Sequence, residues 1–214
     1  MKNITATFIA IFFLATGVSA QSNAQALKLL KSVTSKYKAY KSMSLGFKLT
    51  IEDLENKTKE DQFGKLLLKG EKFNLDMGEQ NIVCNTTTIW THLKDVDEVQ
   101  INNFEEDEDM ITPYQLFTLS ESDFLVNLGS KYNENGKTIQ VIELSPNDKS
   151  LSYHKIKLFI NTADNSIIQG KVFDKNGYHF TYSIQSFSAN PSLKDSDFEM
   201  DLSNFSGDVI DLTE

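Results

Sequence analysis

No arginine occurs anywhere in the 214 residues, cysteine and tryptophan occur once each, and there are only three prolines. The 21 basic residues are all lysine and face 30 acids, for a formal net charge of −9. That balance excludes nucleic acid as a partner, because phosphate-backbone binding depends on clustered positive charge. It also disfavours adsorption to anionic lipid surfaces. The lone cysteine, Cys84, has no second thiol with which to close an intramolecular disulfide, so the core alone must hold the fold. Cys84 follows Ile82 and Val83 in a predicted strand, which favours a small buried apolar side chain over the alternative of a reactive thiol.

Catalytic signatures are missing too. There is no G-x-S-x-G elbow, Walker loop or G-x-G-x-x-G fingerprint. His92, His154 and His179 fall in separate predicted strands, without the H-E-x-x-H or C-x-x-C spacing that argues for zinc. With so many acids, neighbouring carboxylates are unavoidable and say nothing about acid–base chemistry. No catalytic residue, metal ligand or cofactor is expected, although residues distant in sequence can still meet in the fold. No linker, low-complexity tract or internal repeat divides the chain.

What is present begins with an export signal. Lys2 is followed by the largely apolar Ile4 to Ala15, and Val18-Ser19-Ala20 fits the small-x-small cleavage rule before Gln21. Residues 1–20 are therefore expected to be a cleaved signal peptide and 21–214 one domain in the periplasm, with an uncleaved anchor as the alternative. Beyond the signal, no stretch approaches the roughly 20 apolar residues needed for a membrane-spanning helix. Gln21 follows the cleavage site where a bacterial lipoprotein would carry cysteine.

Asn23 is positioned to cap a helix in which Leu27, Leu30, Val33, Tyr37 and Tyr40 recur every three or four residues. Such a basic amphipathic helix can lie on a membrane, but the acidic remainder favours packing against the chain's own sheet. From Leu45 the period changes to two: Leu45, Phe47, Leu49 and Ile51 alternate with Gly46, Lys48, Thr50 and Glu52. Further strands are predicted around Phe63–Lys69, Phe73–Met77, Asn81–Asn85, Thr88–Leu93, Glu98–Asn103, Asp123–Leu128, Thr138–Leu144, Ile156–Ile160, Ile167–Phe173, Tyr178–Phe187 and Phe198–Leu202. Asn135-Gly136 and Asn176-Gly177 suit the positive φ angles of tight two-residue turns. The pattern argues for one strongly curved antiparallel sheet or barrel.

The strands are interrupted between Phe104 and Ser122. An acidic run, Glu105 to Asp109, precedes MITPYQLFTL, where Thr112 and Pro113 mark a helix start. Acids ahead of a helix N-terminus match its dipole, so a solvated loop is the favoured account of the run; docking of a basic partner or a weak cation site are the alternatives. Met110, Ile111, Leu116, Phe117 and Leu119 are too apolar for an exposed excursion, and a lid over the mouth of the sheet is expected.

The most informative stretch is NTTTIWTHLKDVDEVQI, Asn85 to Ile101. Thr88, Trp90 and His92 alternate with Ile89, Thr91 and Leu93, Lys94 to Asp97 turn the chain, and Val99 and Ile101 resume period two. This resembles the signature hairpin of the LolA family, the periplasmic carriers of outer-membrane lipoproteins. The likeness continues in order through the opening helix, the Thr112-Pro113 helix with Leu116, Leu144-Ser145-Pro146, Phe198-Glu199-Met200 and Gly207-Asp208-Val209-Ile210-Asp211. It implies a mainly β fold: an unclosed antiparallel β-barrel of about eleven strands, covered by an N-terminal helix and a short lid helix, with an apolar cavity between. It further implies a non-enzymatic chaperone with acylated lipoproteins as cargo, an inner-membrane ABC transporter as donor, and an outer-membrane acceptor or the outer membrane itself as destination. A monomer is expected.

Two departures stand out. Family members often carry Asp-Gly where this chain has Asn85-Thr86. Well-known members hold the lid with an arginine inside the barrel, so a lysine, a neutral side chain or backbone groups must hold any gate here. A carrier has a physical rationale: at about 0.8 kcal/mol per methylene, two acyl chains of about 25 methylenes in all cost on the order of 20 kcal/mol to expose. The candidate acyl-binding wall is Phe47, Leu49, Leu66, Leu68, Phe73, Leu75 and Trp90, with Leu116 and Phe117 from the lid. Each is equally at home as plain core, since barrel interiors are normally filled by their own side chains. An anchored LolB-like receptor, a lipid sensor, a carrier of another amphiphile and a lipid hydrolase are the competing functions.

Overall fold

In β1 (Met43–Asp53), Met43, Leu45, Phe47 and Leu49 are buried and the residues between them are half-buried, the alternation that period two requires of a strand with one face on a core. The computed structural model describes residues 17–105 and 115–213. Residues 1–16, which fall within the expected signal peptide, the acidic run beyond Glu105, and Met110, Ile111, Thr112 and Pro113 lie outside the described residues.

The helix α1 (Gly17–Lys38) precedes β1, and the meander β2 (Thr58–Lys69), β3 (Lys72–Asp76), β4 (Gln80–Cys84), β5 (Thr88–Leu93) and β6 (Glu98–Asn103) follows it. Next come α2 (Gln115–Thr118) and a 3₁₀ turn at Glu121–Asp123. The second meander is β7 (Phe124–Glu134), β8 (Lys137–Pro146), β9 (Tyr153–Asn161), β10 (Ser166–Asp174) and β11 (Tyr178–Ala189). A 3₁₀ turn at Asp195–Phe198 leads to β12 (Asp208–Asp211). Among the described residues the twelve strands form one sheet in the order β12-β6-β5-β4-β3-β2-β1-β11-β10-β9-β8-β7. Strands β7 and β12 end it, and the sheet is unclosed. Every pairing is antiparallel except β12 with β6, which is parallel.

Ala26, Leu30, Val33 and Tyr37 of α1 are buried in one cluster with strand residues and with Leu116, Phe117 and Leu119. The apolar side of α1 thus packs on the sheet, and no helix among the described residues is long and apolar enough to cross a membrane. Cys84 is fully buried in β4, and burial pushes its thiol pKa up. That is the behaviour of a packing residue, since the thiolate is the reactive form.

Several boundaries differ from the sequence reading. The helix is already formed at Gly17, so Asn23 is an exposed interior residue of α1 and not its cap. Strand β7 runs on to Glu134, its exposed polar second half being held by pairing with β8. The predicted strand Phe198–Leu202 does not form. Asp197 Oδ2 accepts from Lys194 N in a 3₁₀ turn, which lets the single ring of Phe198 become fully buried. The twelfth strand is instead β12, whose exposed residues gain order from pairing along β6. Asn135 and Gly136 both take positive φ, as a two-residue turn requires. At Lys175-Asn176-Gly177 the loop has three residues and only Gly177 is left-handed, the form in which a type I turn is followed by one residue at positive φ.

At Asn85-Thr86 the chain keeps a glycine-type conformation without the glycine. Thr86 has φ +87°, a strained value for a β-branched residue. The Asn85 side-chain oxygen accepts from the Thr87 and Thr88 amides and the Thr87 hydroxyl, and thereby holds the turn.

Candidate functional site

Residues paired directly across a sheet share a face, so the register sorts the candidate wall. One row runs Leu45, Leu66, Leu75, Ile82, Thr91; the next runs Leu68, Phe73, Cys84, Ile89. Phe47 and Leu49 continue this face on β1, where Leu49 pairs with Tyr182 and Tyr182 with Gly170. This inner face carries the helices. Phe47, Leu49, Leu66, Leu68 and Leu75 are buried on it and Phe73 is half-buried. Phe47 lies over Gly64, where a Cβ would come within 2.8 Å of Met77 Sδ as well.

Trp90 is on the other side. It pairs with Val83 and Ile101, in the row that includes Leu67 and Asn74. That outer face is covered by the C-terminal segment: Asn74 donates its side-chain amide to the carbonyl of Asp197 at 2.8 Å, and the Phe205 ring stands edge-on to His92 at 5.3 Å. Trp90 therefore does not join the other strand residues of the wall. Alternation within Thr88–Leu93 does not by itself reveal which half of the strand faces the helices, because the residues on both faces of β5 are half-buried.

Leu116 and Phe117 are both buried from α2. Leu116 rests against Gly170 of β10, and the Phe117 ring is edge-on to Tyr37 at a centroid distance of 4.8 Å. The Tyr37 hydroxyl accepts a hydrogen bond from the backbone N–H of Ile167 at 2.9 Å. Burial pushes the Tyr37 pKa up to about 12, so the hydroxyl stays neutral. These contacts attach the short helix to the sheet where arginine is absent.

Among the described residues the only buried polar side chains are Thr34, Ser42, Thr50 and Gln140, and none is charged. Beside α2 a cleft of about 480 Å³ opens between the helix and the β8–β9 loop. Leu119, Phe124, Leu151 and Tyr153 supply its apolar surface, and Asp123 and Asp148 lie along it. None of the nine candidate residues lines this cleft. Leu151 and Tyr153 escaped the sequence reading because they lie in and just after a polar loop; the one available signal was two large apolar residues in a stretch otherwise made of Asn, Asp, Lys and Ser.

The histidines do not form a catalytic group. His154 and His179 flank the Phe173 ring at 6.2 and 4.6 Å, whereas His92 is far along the sheet on β5. Lys155, Lys157 and Lys171 lie 5.5 to 5.8 Å from the same ring, with Lys157 paired to Glu143 and Lys171 to Glu52, each at 2.7 Å. This is a surface ladder of cation–π and ion-pair contacts. Among the described residues no group of three or more His, Cys, Asp or Glu is placed to hold a metal ion.

Comparison with known proteins agrees with this architecture. The family model for the outer membrane lipoprotein carrier protein LolA matches residues 38–201. An uncharacterized conserved protein from Thermus thermophilus has the same fold at TM-score 0.54 and 11% identity, over 87% of this chain and 99% of that one. A LolA superfamily protein from Nitrosomonas europaea aligns at TM-score 0.46 and 13% identity, over 82% and 97%. No curated protein matches the sequence. The chain belongs to the LolA family.

Proposed function

We propose that this protein is a soluble periplasmic chaperone that takes up the acyl chains of lipoproteins and carries them from the inner to the outer membrane, without catalysis. The observation that carries the reading is the inner face. Phe47, Leu49, Leu66, Leu68, Phe73 and Leu75 share it, no charge is buried on it among the described residues, and a helix of four residues covers part of it. A helix that short has negligible intrinsic stability, and Leu116 and Phe117 anchor it by apolar contacts. Displacing it exposes apolar wall that acyl chains can cover in turn, and the cleft beside it is the place of entry. Half-buried Phe73, Met77, Ile82 and Ile184 extend the same surface.

In this reading an inner-membrane ABC transporter loads the carrier, and an outer-membrane acceptor or that membrane itself unloads it; membership of the LolA family supports the assignment. LolA-family proteins are periplasmic, and residues 1–20 act as the cleaved export signal. The test is to recover the exported protein from periplasm and identify bound species by mass spectrometry. Lipidated proteins and a mature chain starting at Gln21 are expected. Recovery of free phospholipid instead would assign another amphiphile as cargo, and a chain free of any lipid under gentle isolation would overturn the carrier reading.

A further inference from the structure

The ladder between β10 and β11 is incomplete. It runs from Phe173↔His179 to Gln169↔Ser183 and stops, although β10 continues to Ser166 against β9 and β11 continues to Ala189 against β1. Each strand is irregular where the two part. Ile168 is skipped between Ile167↔Ile160 and Gln169↔Phe159, and Gln185 is skipped between Ile184↔Phe47 and Ser186↔Gly46. A bulge bends its strand and raises the local twist, so two at one level splay the strands. Between them lies a cleft of about 440 Å³, with Ser166, Ile167 and Ile168 on one side, Ile184 to Phe187 on the other, and Lys36 and Tyr37 at the end of α1, Tyr40 just beyond it, Lys137 and Asp164 completing its wall.

Backbone groups within a sheet are ordinarily paired, and here two strand edges face one another without ladder partners. One of the freed groups has a substitute, the Tyr37 hydroxyl that accepts from Ile167 N–H. An acyl chain has nothing to offer such edges; an extended peptide has both donors and acceptors. The edge from Ile184 to Ala189 is about 20 Å long at 3.3 Å per residue, enough for several residues of strand. Tyr40 and the partly exposed Phe187, whose rings are 5.7 Å apart, offer apolar contact to alternate side chains. The Tyr37 ring also packs on Phe117 of the lid, so the split adjoins the lid through one residue.

We propose that the split between β10 and β11 seats the polypeptide of the cargo: the extended residues that follow the acylated cysteine add as a short strand there while the acyl chains lie under α2. This rests on the carrier reading above and assigns the peptide half of the ligand to its own site. The lipid is held by area and the peptide by backbone hydrogen bonds, so one carrier accepts many sequences.

The test uses the exported full protein with a synthetic dipalmitoyl-glyceryl-cysteine hexapeptide, the same lipopeptide N-methylated on the backbone after the cysteine, and palmitate. Amide hydrogen exchange is read over residues 165–169 and 184–189. The lipopeptide should protect both segments and palmitate should bind without protecting either. N-methylation should remove the protection and weaken binding about tenfold, the effect of one or two backbone hydrogen bonds. Gln185→Trp, at an exposed bulge, should fill the cleft, weaken the lipopeptide to the same degree and leave palmitate binding unchanged. Equal affinity for the methylated and unmethylated lipopeptides, or unaltered exchange in both segments, overturns the peptide seat and leaves the carrier intact. Failure of both lipopeptide and palmitate to bind overturns the carrier reading itself.

Discussion

Leu116 of α2 occupies the space that a side chain on Gly170 of β10 would need: a Cβ there would come within 2.7 Å of the leucine Cδ1. The lid is seated by shape, in a protein with no arginine to fasten it. Because the Leu116 methyls are the far end of a flexible side chain, an addition at Gly170 is met first by a shift of that leucine and not by the strand, and a branched side chain presses on its seat most.

Gly170→Val should therefore lift α2. We expect severalfold faster uptake of a fluorescent fatty acid in stopped flow, with a loss of about 1–3 kcal/mol in stability from overpacking. Unchanged uptake in a folded variant would show that Leu116 does not gate entry.

Tyr37→Phe keeps the ring against Phe117 and removes the acceptor for Ile167 N–H. A buried amide left unpaired costs about 1–3 kcal/mol, measurable by urea unfolding. Faster amide exchange at Ile167 should accompany it.

Phe47 and Trp90 read in sequence as parts of one wall, which predicts that glutamate at either abolishes retention of acylated protein. The register separates them. Phe47→Glu, and the half-buried Ile82→Glu as a milder probe, should abolish acyl retention, because a charge on the inner face is costly to bury. Trp90→Glu should retain acyl binding and instead raise protease sensitivity of the segment 190–207 that covers the outer face. Lipid binding assays and limited proteolysis of the three variants distinguish the two faces.

Thr86→Gly should stabilise the protein by about 1 kcal/mol, because glycine adopts φ +87° without the strain of a β-branched side chain. Chemical denaturation of the two proteins measures it.

Acidification should destabilise the fold in two stages. Burial and the Lys171 ammonium hold His179 below its ordinary 6.5, and the hydrogen bond from Lys171 holds Glu52 below its ordinary 4.5. Both folded-state values are depressed, so the unfolded chain takes up each proton first as pH falls. The contribution of His179 is present above pH 6.5 and is lost as pH falls below it through the folded value, and that of Glu52 is lost in the same way below 4.5. Urea midpoints across this range should show the slope, and His179→Gln should remove its upper part.

The strands Leu45 to Glu52 and Thr88 to Leu93 were legible because a chain with one face on a core must alternate, and alternation is local. The same locality explains the failures. Phe198–Leu202 alternates as a strand would, yet one buried ring and a capped 3₁₀ turn satisfy it better. Asp208–Asp211 is exposed throughout and owes its strand form to β6, over a hundred residues earlier.

The periodicities of this sequence by themselves determined one amphipathic helix and a run of half-buried antiparallel strands with glycine-marked hairpins, since each depends on neighbours within a few residues, and its composition alone excluded an intramolecular disulfide and any arginine from the core. Only the tertiary structure decided which side of β5 faces the helices, that Leu116 meets Gly170, and that β10 and β11 part below Gln169. Those relations depend on register and on bulges in strands far apart in the chain, and a one-residue shift in pairing turns every side chain to the opposite face.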